Sequence, residues 1–366
     1  MGLAGLLLTA GPALAFGTLV VPFGSHQQNR EHERITRHAL GCGEPDLPGL
    51  SSHLPAGECF EPNSLTALAG KRFTYGAVGA PDNVFRGLIT TPTAHCDNGD
   101  YLDPALNLGR VYRHGAPQAR ANLMSCWIWM HDNLNRAVSD AGRLLNRDGS
   151  VNDNEIPTRI SCTFLGHGGT PLARRAKCDV LEDLGLTLHA SQDFYAHSNW
   201  TDHVDATRAI DRTNPPGMGQ TGAAPLLNMG QTPLQAMGSV PADLITGCFV
   251  SVIAAEDGCP NEVAHTNLNK DHGLIDADGD PAGAVLDFAA RFRRAAPEIG
   301  LTPRGAVGGN FRSAVLGAVE DSRSQWATLR GKLIATYGEP RGRAMICALT
   351  HDDPVRDCRT LATEGL

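Results

Sequence analysis

Apolar positions recur three or four residues apart in several stretches of this 366-residue chain, the period of a helix with one buried face. Residues 118–146 carry Leu123, Trp127, Met130, Leu134, Val138 and Leu145 in that register, and Arg147-Asp148-Gly149 closes the stretch as a turn. Residues 176–200 place Val180, Leu181, Leu184 and Leu188 on one face. Residues 305–337 repeat the pattern with Val315, Leu316, Val319, Trp326, Leu329 and Leu333. Shorter stretches at 28–40 and 282–296 also read as helices, and a tail bounded by Cys347 and Cys358 follows the last one. Elsewhere the period is lost. Residues 41–117 are dominated by Gly, Pro and turn formers and predict a long irregular region. Residues 211–247, rich in Pro, Gly, Thr and Met, predict an extended connection. Strand signals are few, so the chain predicts a mainly α fold with long loops, one domain over residues 16–366.

Long loops need staples, and the cysteines supply candidates. There are 10, an even number, and none forms a CxxC pair. That spacing argues against a zinc ribbon or thioredoxin-like site and points to five disulfides in an exported protein. Sequential pairing would close loops at 42–59, 162–178, 248–259 and 347–358 and leave Cys96 with Cys126, although sequence does not fix connectivity. The N-terminus agrees with export. An apolar run from Leu3 to Leu14 ends in Ala13-Leu14-Ala15, a small-x-small pattern, so residues 1–15 predict a secretory signal and a mature start near Phe16. No Lys or Arg precedes that run, and a short membrane anchor or a buried N-terminal segment are the other readings of it. Residues 30–366 hold no apolar run long enough for an internal membrane span.

With 42% apolar and 19% charged residues the chain has enough apolar material for a core. A net charge of −8 excludes a nucleic-acid binder that works by bulk positive charge. It leaves open a nuclease whose metals supply the charge locally.

The chemistry concentrates in residues 189–203, HASQDFYAHSNWTDH. His189, Asp193 and His197 are four apart, so on a helix each step turns about 40° and rises about 6 Å, and the three point broadly one way. His189 and His197 are then about 12 Å apart, too far to share one ion comfortably. Asp193, with two oxygens, lies between them, which predicts two adjacent metals with Asp193 serving one or bridging both. Other segments offer further ligands: His32 in the first helix, Asp82 in a Gly-Ala-Pro-Asp-Asn turn, His95 in the run HCDNGD, and His265 in HTNLNKD. Asn199 and Asn269 could donate to a phosphate or orient water, or equally cap turns, and Lys270 could hold a phosphate as a point charge.

The run LHASQDFYAHSNW resembles the signature of Het-C-like proteins. The ordered set HERITRHAL, GAVGAPDN, AHCDNGDYL, LHASQDFYAHSNW, TNPPG, TGCF and HTNLNKD, across residues 32–271, is similar to the CinY-like group of exported actinobacterial proteins. More distantly the arrangement resembles the zinc-dependent phospholipase C and S1/P1 nuclease superfamily, helical phosphoesterases with clustered zinc ions. That resemblance implies a helical bundle, two or three zincs, and metal ligands at His32, Asp82, His95, His189, Asp193, His197 and His265, with Asp82 also the general base. It further implies a phosphoester substrate, such as a phospholipid headgroup at a membrane surface. A nuclease, a phosphomonoesterase, or a secreted binding protein with a structural metal are the alternatives. Two departures stand out: no Trp lies near the expected mature start, and His265 is followed four residues on by Asn269 rather than Glu, with Asp271 out of register.

Overall fold

The computed structural model describes residues 16, 30–44, 47, 49–50, 54–71, 75–83, 86–156, 162, 164, 175–250, 258–273, 275 and 301–358. The apolar leader at 1–15 and the expected helix at 282–296 lie outside the described residues. In chain order the α-helices are α1 (Glu31–Leu40), α2 (Pro62–Ala69), α3 (Ala116–Ala141), α4 (Ala176–His197), α5 (Pro233–Gly238), α6 (His265–Leu268), α7 (Asn310–Tyr337), α8 (Glu339–Thr350) and α9 (Pro354–Asp357). The fold is mainly helical, and the described residues form isolated bridges but no sheet.

The central helix is α4, with α3 along one side and α7, α2 and α1 around the rest. The faces of α3 and α7 are those the period predicts: Leu123, Trp127, Met130 and Leu134 on α3, and Val315, Val319, Trp326, Leu329 and Leu333 on α7, are buried. Together with α4 they form one continuous apolar core. In contrast, α4 is enclosed on nearly all sides rather than along one stripe. Its N-terminal half fills the enclosure with Val180, Leu181, Leu184 and Leu188, and its C-terminal half with His189, Gln192, Asp193 and His197. Close approach is built in at Gly185. A Cβ there would lie 2.4 Å from the Ala77 carbonyl carbon and 2.7 Å from Val78 N, so only glycine lets that strand of backbone rest on α4.

Three sequence expectations change. The region 41–117 is not irregular throughout: α2 forms inside it, with Pro62 in the first turn and Leu65 and Leu68 buried. Eight residues are too few for a period to declare itself. The connection 211–247 contains α5, whose Thr232 and Gln235 form a capping box. The tail holds α8, which packs back on α7.

All five sequential disulfides form: Cys42–Cys59, Cys96–Cys126, Cys162–Cys178, Cys248–Cys259 and Cys347–Cys358. Cys96–Cys126 ties the loop after Pro92 to α3. Among the described residues, no helix is long and apolar enough to cross a membrane.

Candidate metal centre

His189, Gln192, Asp193 and His197 expose no surface. Burying ionisable side chains in a core is costly unless each finds a partner. Here the partners come from distant segments and sort into two clusters.

In the first cluster each histidine is held by its outer nitrogen. His189 Nδ1 donates to the Val78 carbonyl at 2.8 Å, and His95 Nε2 to the Leu88 carbonyl at 3.2 Å. His32 Nδ1 donates to Gln192 Oε1 at 2.7 Å. The Gln192 amide is itself oriented by donating to Thr36 Oγ1 at 3.0 Å and Ser322 Oγ at 3.1 Å. These bonds fix the tautomers and leave the inner nitrogens for a ligand. The inner nitrogens meet on one carboxylate: His95 Nδ1 lies 2.8 Å and His189 Nε2 3.0 Å from Asp193 Oδ2, and His32 Nε2 lies 3.2 Å from Oδ1. His95 Nδ1 and His189 Nε2 are also 3.0 Å from each other. Asp82 sits at the edge, its Oδ1 3.7 Å from His189 Nε2. At 8% exposure it is the most accessible member. His32 and Asp193 are close yet make no aligned hydrogen bond through Nε2 and Oδ1.

Two nitrogens 3.0 Å apart, each already donating on its far side, cannot both carry inner protons. Unprotonated, their lone pairs face each other and a carboxylate. A cation at the focus satisfies all of them at once. The donors form two overlapping sets, His32, His189 and Asp193, and Asp82, His95 and His189. Burial holds the His189 imidazole below its ordinary pKa despite Asp193. Burial opposes charge on His32 and His95 too, but Asp193 and Asp82 outweigh it and raise both. Asp193 is held well below the usual carboxylate range, because His189, His32 and His197 overcome its desolvation.

The second cluster is Asp97, His197, His265 and Asp271. Asp97 Oδ1 lies 3.4 Å from His197 Nδ1 and 3.1 Å from His265 Nδ1. Asp271 takes the other edge of both rings, at 3.1 Å from His197 Nε2 and 3.7 Å from His265 Nε2. Asp97, His197 and His265 form one possible ligand set. Asp97 is pulled down to about 2, against its burial, by the two histidines, and His265 is raised to about 9 by the carboxylates once they overcome desolvation. The rest of the loop geometry explains how His265 arrives. Gly247 N donates to the His197 carbonyl at 2.9 Å, and His265 N to the Cys248 carbonyl at 2.8 Å. A Cβ on Gly247 would lie 2.4 Å from His265 Cα.

One loop feeds both clusters, with His95 going to the first and Asp97 to the second. Cys96 between them and Asn98 after them both hold left-handed backbone, φ 54° and 68°. Such strain persists only where the surroundings over-determine it. Here the Cys96–Cys126 disulfide does so, together with Asn98 Oδ1 accepting from Phe249 N at 2.6 Å.

Of the ligands expected from sequence, His32, Asp82, His95, His189 and Asp193 come together, and His197 and His265 come together apart from them. Both oxygens of Asp193 face the first cluster's histidines, so it belongs to that cluster. Asp97 and Asp271 complete the second cluster, although the spacing assigned them no role. Their signal was proximity in sequence: each lies in the same short run as a ligand histidine. The three residues expected to meet a phosphate have other work. Asn199 donates to the carbonyls of Pro216 and Asp243 and accepts from Ile245 N, which fixes the turn after α4. Asn269 Oδ1 accepts from Asp271 N at 2.8 Å. Lys270 is fully buried, its ammonium donating to the Ser198 and Leu268 carbonyls and paired with Asp202 at 2.9 Å. The sequence showed their polarity but not their burial. Cys347–His351–Cys358 and Cys248–Cys259–Glu262 also cluster, but their sulfurs are consumed in disulfides.

No family model matches the chain, and no curated protein or solved structure matches it either.

Proposed function

We propose that this chain is an exported zinc-dependent phosphoesterase, of phospholipase C type, working at the first cluster. The observation that carries the reading is the focus itself: three imidazoles with their outer nitrogens tied down and their inner nitrogens gathered on the Asp193 carboxylate. Imidazole and carboxylate donors suit zinc. His32, His95, His189, Asp193 and Asp82 would hold it. The chemistry that zinc held there would supply is polarisation of a phosphoryl oxygen and acidification of a water. The protein's own contribution is orientation and proton transfer. Val78, Leu88 and Gln192 keep the ring nitrogens aimed inward. Asp82, the most accessible of these residues, would accept the proton of an attacking water. Five disulfides support export, as does the apolar leader. The more distant resemblance to the zinc-dependent phospholipase C and S1/P1 nuclease superfamily supports the reaction class. The second cluster, closed by its own two carboxylates, suits an ion that holds the loops carrying Asp97, His265 and Asp271 in place.

The test is zinc content of the secreted protein by mass spectrometry, beside His189→Ala, Asp193→Ala and Asp82→Asn, followed by hydrolysis of a soluble phosphodiester. The reading expects zinc lost from the first cluster in the Ala variants. Asp82→Asn should keep its fold and lose roughly 10²–10⁴-fold in turnover. Wild-type protein purified without chelator that holds no transition metal would sink the mechanism.

A further inference from the structure

We infer that the loop of residues 103–111 is a docking element for an anionic phospholipid surface. Of the large apolar side chains left in solvent, three sit on this one loop: Leu106 at 40%, Leu108 at 76% and Val111 at 85% exposure. Scattered exposed apolar side chains need no explanation, but Leu106, Leu108 and Val111 gather on one short loop.

Fold stability does not account for them, because the loop has its own buried root. Leu102 and Tyr112, at its two ends, pack with Ile245, Val263 and Leu268 in a small satellite core. The Tyr112 hydroxyl accepts from Val263 N at 3.0 Å. The body of the loop is internally bonded. Leu106 N donates to the Asp103 carbonyl at 2.8 Å and Gly109 N to the Pro104 carbonyl at 2.9 Å. Asn107 turns inward, 1% exposed, and donates to the Asn261 carbonyl at 3.1 Å. Leu108 holds left-handed backbone, φ 53°, next to Gly109 at 71°. A leucine accepts that conformation at a cost, and here it puts the side chain outward at the tip. The chain thus maintains an internally bonded turn that displays aliphatic groups.

Charge selects the partner. Residues 101–120 carry Arg110, Arg113 and Arg120 against a single acid, Asp103, in a chain whose net charge is −8. Arg113 shares its charge with Glu262 at 3.6 Å but keeps 48% of its side chain exposed. Aliphatic tips beside Arg110 and Arg113 fit a bilayer interface, where the apolar groups enter the acyl boundary and the cations meet phosphates. Protein-binding cores are enriched in aromatic side chains, and residues 103–111 have none. The loop follows in sequence the run that carries His95 and Asp97.

This deepens the phosphoesterase reading by naming where the substrate lies, yet docking requires no turnover. The experiment is co-sedimentation of the intact secreted protein with vesicles of phosphatidylcholine alone and of phosphatidylcholine mixed with phosphatidylglycerol, at low and high salt. Wild type should bind the mixed vesicles, weaken as salt rises, and bind pure phosphatidylcholine less. Leu108→Asp combined with Val111→Asp should lower affinity at least about tenfold. It should melt at the wild-type temperature, because both side chains are in solvent. Leu234→Asp, an equally exposed leucine on α5, should bind as wild type does. Wild type that ignores both vesicle types overturns the inference and leaves the tip to a protein partner. Equal binding by the double variant overturns it too. Hydrolysis of a soluble phosphodiester, measured in parallel, should be unchanged in the double variant. Its absence in wild type would break the enzymatic reading while leaving docking standing.

Discussion

Gly185→Ala is the smallest change that should reach the first cluster without touching a ligand. The added Cβ would sit 2.4 Å from the Ala77 carbonyl carbon, 2.5 Å from Ala77 Cβ and 2.7 Å from Val78 N. Carbon atoms at rest keep about 3.5 Å apart, so the backbone at 77–78 must retreat by about 1 Å. The Val78 carbonyl that orients His189 at 2.8 Å moves with it, beyond hydrogen-bond reach. The turn carrying Asp82 follows, since Asp82 N is bonded to the Gly79 carbonyl. Overpacking costs about 1–3 kcal/mol and the lost bond about 1 kcal/mol. Alanine's better helix propensity returns about 1 kcal/mol. The net expectation is a protein destabilised by about 1–3 kcal/mol. A lost second contact to a metal-ligating histidine weakens metal affinity by about 10–100-fold. Gly331→Ala is the matched control. It lies on the same kind of helix interior, with nothing within 4 Å of the new Cβ, and should gain up to about 1 kcal/mol. The assays are chelator competition for zinc affinity and thermal melts of the metal-free forms. Zinc affinity within about twofold of wild type in Gly185→Ala, with no loss of melting temperature, would refute the claim that the Val78 contact shapes the site.

Asp321, fully buried beside Ser191 and Gln325, has its carboxyl pushed up to about 7 by desolvation. The folded state therefore binds a proton that the unfolded state releases between about pH 4 and 7, and stability falls as pH rises through that window. Asp321→Asn should flatten that slope and be more stable above pH 7, by at most about 4 kcal/mol, with no gain at pH 4; parallel melts at the two pH values decide. Asp271→Asn removes the carboxylate shared by His197 and His265, and should cost the second cluster about 10–100-fold in metal affinity while zinc at the first is retained; loss of both ions together would show that the clusters are one unit. Replacing Cys96 and Cys126 together by Ser frees the loop that supplies His95 and Asp97; it should lower stability by about 2–4 kcal/mol and weaken metal binding at both clusters, whereas the same change at Cys347 and Cys358 should leave metal content unaltered.

Much of the architecture was legible locally. The period of 118–146 and 305–337 identified α3 and α7, because a long helix writes its buried stripe every three or four residues. Loop-closing cysteines close in sequence paired as neighbours, because short loops lose least entropy in meeting. His189, Asp193 and His197 pointed to groups that could hold a metal, through a spacing that the helix converts to a direction. The sequence by itself therefore determined the helical class, the three long helices and most of the residues that gather in the two clusters.

Partition and burial were decided only by tertiary structure. Nothing local separates Asp193 from His197, yet packing sends one to His32 and His95 and the other to His265. Nothing local makes Lys270 a buried structural cation either; Asp202, itself paired with Arg304, does that from far along the chain. A helix fixes the direction in which a side chain leaves the backbone. What it meets there depends on segments brought in by the core and the disulfides, and that sum of long-range contacts is written in no single stretch of sequence.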